Sequence, residues 1–83
     1  MSFEEVAENL RKNNAVADSL ADDKKLEIYA LFKQGSIGDC NVARPGMMDF
    51  KGKAKWDAWD AKKGMSQDDA KEAYVELVGG LLE

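Results

Sequence analysis

The chain has no histidine, one cysteine and no long apolar run. Without an imidazole, every mechanism that uses histidine as a general base is closed, the serine and cysteine triads included. A single thiol, Cys40, can form no internal disulfide and no zinc site of the CxxC kind. Its surroundings offer no evident base, so a packing role is the plainer reading. The apolar stretches are a few residues each, far below the roughly 20 that span a bilayer, so no stable membrane insertion is expected. Met1-Ser2-Phe3-Glu4-Glu5 is acidic where a secretory signal is basic, and it lacks the apolar centre of one; the expected location is cytoplasmic. There is no Gly-rich phosphate loop, nucleophile elbow or metal-ligand spacing, so no catalytic residue, metal or cofactor is expected and the chain does not read as an enzyme.

What remains is an ordinary folding composition. With 83 residues, 45% apolar and 34% charged, the chain has enough apolar content to fold and too little length for two cores, so one domain is expected over 1–83. A net charge of −4 disfavours unspecific binding to nucleic acid or to anionic membrane. That charge is uneven. Between positions 33 and 63 stand seven basic residues against four acidic ones, so a basic centre lies between acidic ends. A local anion site would produce this distribution, and so would a plain solvated face.

Helical signals dominate. Ser2 and Glu5 form an S-x-x-E capping box, and Phe3, Val6, Ala7 and Leu10 recur at helical spacing, giving a first helix to about Asn13. The stretch from Asn14 to Ala21 carries no sustained pattern. Asp22 is the expected N-cap of a second helix with Leu26, Tyr29, Ala30 and Lys33 on one face and Ile28, Leu31 and Phe32 beside them, stopped by Gly35 and Gly38. From Gly35 to Phe50 the pattern is lost, with a Pro45-Gly46 turn near the middle. Ile37, Val42, Met47, Met48 and Phe50 suggest that this long crossover is ordered by packing onto the core. A third helix is expected from about Lys51 to Gly64. Ser66 and Asp69 open a fourth, with Ala70, Ala73, Tyr74, Leu77, Val78 and Leu81 as its apolar stripe. The fold class is all-α, a four-helix bundle with a long ordered crossover between helices two and three.

Several residues could recognise an anionic ligand. Tyr29 and Lys33 at i, i+4 put a ring one turn before a cation on one face of the second helix. Lys51 and Lys55 repeat the spacing on the third, and Lys62 roughly continues their stripe. Lysine binds phosphate as a mobile point charge, although a lysine face in water is the commoner use of such a pattern. The aromatic residues default to the core. Tyrosine at the edge of a basic patch can both stack and donate, and Tyr29 and Tyr74 suit that role better than Trp56 or Trp59. The acidic pairs Asp22-Asp23 and Asp68-Asp69 fall at helix starts, where they complement the helix dipole.

Together, Tyr29-Ala30-Leu31-Phe32-Lys33-Gln34, Gly38-Asp39, Arg44-Pro45-Gly46, Asp49-Phe50 and Lys53-Ala54-Lys55-Trp56-Asp57-Ala58-Trp59 resemble the signature of the acyl-CoA-binding protein family. The likeness continues through Lys63-Gly64, Ser66, Asp69-Ala70 and Ala73-Tyr74. It implies an up-down-down-up bundle that carries medium- or long-chain fatty acyl-CoA as a cytoplasmic monomer, with the nucleotide on the surface and the acyl chain in a groove. By the same resemblance Tyr29, Lys33, Lys55 and Tyr74 hold the CoA head group, the lysines facing the 3′-phosphate. Ala7 and Arg11 fall near the nucleotide, and Leu26 and Phe32 near the ligand. Lys25 stands where many relatives carry an apolar residue, a place where its stem can lie along the groove with the amine in water. A helical adaptor for a protein partner is the alternative that the composition leaves open.

Overall fold

The computed structural model describes residues 2–82, and among them are five helices and no strand. Helix α1 spans Phe3–Lys12 and begins as its capping box dictates: Ser2 Oγ accepts from Glu5 N at 3.2 Å and reaches the Glu5 carboxylate at the same distance. Glu4 and Glu5 lie in its first turn and Arg11 and Lys12 in its last, both favourable to the helix dipole. Val6 and Ala7 form its buried stripe.

Where no pattern was expected, a short helix α2 runs over Asn14–Ser19. Asn13 breaks α1 with φ −105° and ψ 77°, and its side chain accepts from Val16 N at 3.3 Å to start the next helix. Six residues make fewer than two turns, too short for an amphipathic period to show. Helix α3 covers Asp22–Ser36, and its N-cap is Ala21, which has no capping side chain; Asp22 is the first helical residue rather than the cap. Gly35 does not stop α3. It is buried inside it, where an added Cβ would lie 3.0 Å from Lys71 Cγ and 3.3 Å from Lys71 N, so its small size admits the last long helix. The stop is Gly38, whose φ of 103° suits glycine.

Helix α4 spans Phe50–Asp60, with Asp49 accepting from Gly52 N at 2.9 Å as its cap. Helix α5 spans Gln67–Leu82, with Ser66 Oγ accepting from Asp69 N at 3.0 Å. Ala70, Tyr74 and Val78 are its buried residues, one turn apart. The expectation of one domain over 1–83 includes Met1 and Glu83, which lie outside the described residues.

Paired contacts give the direction of each helix. Phe3 at the start of α1 meets Tyr74, and Lys12 at its end shares a surface hollow with Leu82, so α1 and α5 run the same way. Phe32 packs on Tyr74 while Gly35 meets the earlier Lys71, so α3 opposes α5. Tyr29 faces Lys55 and Lys33 faces Trp59, so α3 and α4 are parallel. The order over the four main helices is up-down-down-up. Val6, Ala7, Ile28, Leu31, Tyr74 and Val78 form the core. Burying a side chain of the size of Ile28 or Leu31 contributes about 1.5–3 kcal/mol.

The crossover over residues 37–49 is held differently from expectation. Ile37, Val42, Met47, Met48 and Phe50 are 45%, 56%, 80%, 86% and 72% exposed, so apolar packing is not what orders it. Polar fasteners do that work. Trp59 Nε1 donates to Gly38 O at 2.8 Å, Trp56 Nε1 to Val42 O at 2.7 Å and Lys53 Nζ to Met47 O at 3.0 Å. Arg44 grips Asp57 with two hydrogen bonds of 3.0 and 2.9 Å. Cys40 is half-buried, its thiol 3.8 Å from Val42 O.

Candidate functional site

A groove of about 380 Å³ lies between the parallel helices α3 and α4. Asp22, Lys25, Leu26 and Tyr29 line it from α3, and Lys51, Ala54 and Lys55 from α4. From its first member each set recurs at i+3 and i+4, with Tyr29 at i+7 of the first, which places it on one face of its helix. Leu26 and Ala54 supply an apolar floor. The lysines supply cationic rims.

Tyr29 is the centre of the charged end. Lys33 Nζ sits 5.8 Å from its ring centroid and Lys55 Nζ 5.5 Å, so one half-buried ring accepts two ammonium groups from different helices. Lys33 also stands 5.5 Å from the ring of Trp59, a residue that sequence reasoning had assigned only to the core. Cation–π contacts of this kind hold a lysine in place while leaving its N–H donors free, at roughly 0.5–1 kcal/mol on a surface. Neither Lys33 nor Lys55 makes an ion pair with a described residue. Other basic residues of the middle are already engaged: Arg44 with Asp57 and Lys53 with Met47 O. Lys62, expected to continue the phosphate stripe, is paired with Glu27.

Behind Lys33 the end of α3 is locked. Gln34 is fully buried, and its Nε2 donates to Asp39 Oδ1 at 2.9 Å and to Met65 O at 2.8 Å. Gly64 N donates to the same Asp39 oxygen at 2.9 Å. These bonds hold the Asp39 carboxyl below the usual aspartate range, the Gly64 amide contributing most and Gln34 next. The Arg44 guanidinium does the same to Asp57, first by its hydrogen bonds.

The structure divides the expected ligand residues into two groups. Leu26, Tyr29, Lys33 and Lys55 come together at the α3–α4 groove. Ala7, Arg11, Phe32 and Tyr74 lie on the other flank of α3, toward α1 and α5. Ala7 is buried in the core. Arg11 is exposed and paired with Glu8 at 3.3 Å. Phe32 and Tyr74 form a ring cluster with Phe3, with centroids 5.7, 5.0 and 6.0 Å apart. Tyr74 is only 3% exposed, so it is a core residue rather than the rim of the basic patch, and burial pushes its phenol up while Arg11 pulls it down.

Asp22 and Ala54 were missed as groove residues, Asp22 having been read as a cap. The spacing of Asp22 to Lys25, Leu26 and Tyr29 is the signal that could have found the first. Which face of the third helix meets the second fixes Ala54, and helical periodicity alone does not give that.

A family model described as acyl CoA binding protein matches residues 1–78. The chain belongs to the acyl-CoA-binding protein family. It is 49% identical over 82 residues to acyl-CoA-binding protein homolog 1 of Caenorhabditis elegans, covering 99% of this chain and 92% of that one. The acyl-CoA-binding protein homolog of Drosophila melanogaster is 52% identical over 62 residues, covering 75% of this chain and 72% of that one. Among solved structures, the crystal structure of Oryza sativa acyl-CoA-binding protein 2 superposes with a TM-score of 0.84 at 39% identity, covering 96% of this chain and 86% of that one. The family is one of binding proteins, not enzymes, and the all-α bundle is its fold. Among the described residues no helix is long and apolar enough to cross a membrane.

Proposed function

We propose that the chain binds fatty acyl-CoA thioesters and serves as a cytoplasmic carrier of them, as a monomer, with the α3–α4 groove as its site. A CoA thioester has phosphates at one end and an alkyl chain at the other, so its carrier needs unpaired cations beside an apolar groove. The observation that carries this reading is the Tyr29 ring flanked by the unpaired ammonium groups of Lys33 and Lys55 at the edge of that groove. In it, Lys33 and Lys55 donate to the 3′-phosphate, and Tyr29 stacks on the adenine. Leu26 and Ala54 contact the acyl chain, and the stem of Lys25 lies along it with the amine in water. Ala7, Arg11, Phe32 and Tyr74 contribute from the α1–α5 side of α3, a part that rests on the family resemblance. A protein adaptor would leave the paired free lysines without a use.

No step of chemistry is required. Binding is the sum of charge-assisted hydrogen bonds at the phosphates and burial of methylenes, at about 0.8 kcal/mol each before ordering costs. The lysines also discriminate against free fatty acid, which offers no phosphate to them. The test is calorimetric titration with palmitoyl-CoA, with CoA and palmitate titrated separately. One-to-one binding of the thioester, far tighter than either half, is expected; palmitate binding as tightly as palmitoyl-CoA would overturn the reading.

A further inference from the structure

The large apolar residues that stand exposed among the described residues lie in the crossover or at its end, and the three most exposed, Met47, Met48 and Phe50, fall together. Asp49 N donates to Gly46 O at 3.1 Å, closing a turn with Met47 and Met48 at its corners. Both methionines are at least 80% exposed, and Phe50, the first residue of α4, is 72% exposed beside them. A loop with this many apolar side chains would ordinarily fold them inward. Here the turn is held out instead. Lys53 Nζ binds Met47 O and lies 5.7 Å from the Phe50 ring, and Arg44 fixes the preceding strand of chain to Asp57. The polar fasteners present the apolar tip rather than hide it.

The charge around the tip is net positive, with Arg44 paired to Asp57. Residues 44–55 contain Arg44, Lys51, Lys53 and Lys55 against a single acid, Asp49, on a chain whose net charge is −4. The carboxylate of Asp49 is itself occupied as the cap of α4. Lys51 and Lys55 have no ion pair among the described residues. Lys51, the residue after Phe50, lines the groove, so the tip adjoins in sequence the helix that forms one groove wall.

We propose that the Met47–Met48–Phe50 tip, with its surrounding lysines, is a docking surface for anionic lipid bilayers, through which the groove meets amphiphilic ligand held in the membrane. Unbranched methionines on a convex turn enter a disordered headgroup layer without needing a shaped pocket, and interfacial apolar groups insert about 5–10 Å. Lysines at the same level attract acidic headgroups and orient the molecule with its acidic ends outward. Contact is peripheral and reversible, since three side chains and no spanning helix are involved. The inference rests on the carrier reading for its purpose but not for its test.

The experiment is vesicle co-sedimentation with phosphatidylcholine alone and with phosphatidylcholine mixed with phosphatidylserine, comparing the wild-type chain with Met47→Ser/Met48→Ser. Both positions are exposed and outside the groove, so the variant keeps its helix content and its affinity for palmitoyl-CoA in solution. Wild-type protein is expected on the mixed vesicles and largely absent from the neutral ones, with partitioning lowered about tenfold or more in the variant. The rate of palmitoyl-CoA transfer out of mixed vesicles falls with it. Equal partitioning and transfer by the two proteins, or no binding to mixed vesicles at all, overturns the proposal. So does a wild-type dimer that the substitutions dissociate, because the tip would then serve a second copy of the chain. Loss of palmitoyl-CoA binding by the wild-type protein in solution is a separate result, and it strikes the carrier reading instead.

Discussion

Lys55 Nζ stands 5.5 Å from the centre of the Tyr29 ring, although the two residues belong to different helices. The contact fixes the register of α3 against α4 and brings the second lysine to a ring that Lys33 already flanks from its own helix. Two cations that make no ion pair among the described residues converge there by fold, not by sequence proximity.

Replacing either lysine should therefore weaken a phosphate contact and little else. Lys33→Ala and Lys55→Ala are each expected to lower affinity for palmitoyl-CoA by about 1.5–3 kcal/mol, roughly ten- to a hundredfold. Against the 3′-dephospho ligand the loss should be much smaller. Titration of both variants with both ligands checks the assignment, and equal losses would remove it.

Chain length is a second handle on the same groove. Affinity should climb as the acyl chain lengthens, with an upper slope of about 0.8 kcal/mol or fourfold per methylene, then level off once Leu26, Ala54 and the Lys25 stem are covered. A series of saturated acyl-CoAs measures the slope; a flat series would show that the apolar floor is not used.

Acid should unfasten the crossover. The carboxyls of Asp39 and Asp57 are both held below 3.8 in the folded chain, so the unfolded chain takes up protons first as pH falls. Their stabilisation is complete above 3.8 and is lost as pH drops from there through the folded values. Denaturant melts across that window should show stability falling with acid, and Asp39→Asn should make the fall shallower. A slope unchanged by that substitution would contradict the role of the Gln34–Asp39–Gly64 bonds.

Stability should depend sharply on burial. Val78 is wholly buried in α5, and Val78→Ala is expected to cost about 2 kcal/mol, lowering the melting temperature by roughly 10 °C in a chain of this length. Val42, 56% exposed on the crossover, should tolerate the same change within about 0.5 kcal/mol. Thermal melts of the two variants make the comparison.

The four main helices were legible because their signals are local. Ser2 with Glu5 and Ser66 with Asp69 are caps whose partners lie three residues away, and both bonds form. The motif around Tyr29, Lys33 and Lys55 was equally visible, and those residues meet. What escaped was decided at a distance. Gly35 resembles a helix stop until Lys71 of α5 is placed against it, which turns it into a packing site. Met47 and Met48 read as core because apolar residues usually are, whereas Lys53 and Arg44 hold their turn outward. Lys62 carried no sign in the sequence of its partner Glu27, which lies on α3. Tyr74 and Tyr29 looked alike in sequence, yet one fills the core and the other borders the groove.

The measurement that bears most directly on the site is a titration of the isotope-labelled protein with palmitoyl-CoA, followed by amide NMR shifts. The account predicts the largest changes along both walls of the groove, from Leu26 to Lys33 on α3 and from Lys51 to Lys55 on α4. Saturation with Ala54 and Lys55 unmoved would place the ligand elsewhere and contradict it.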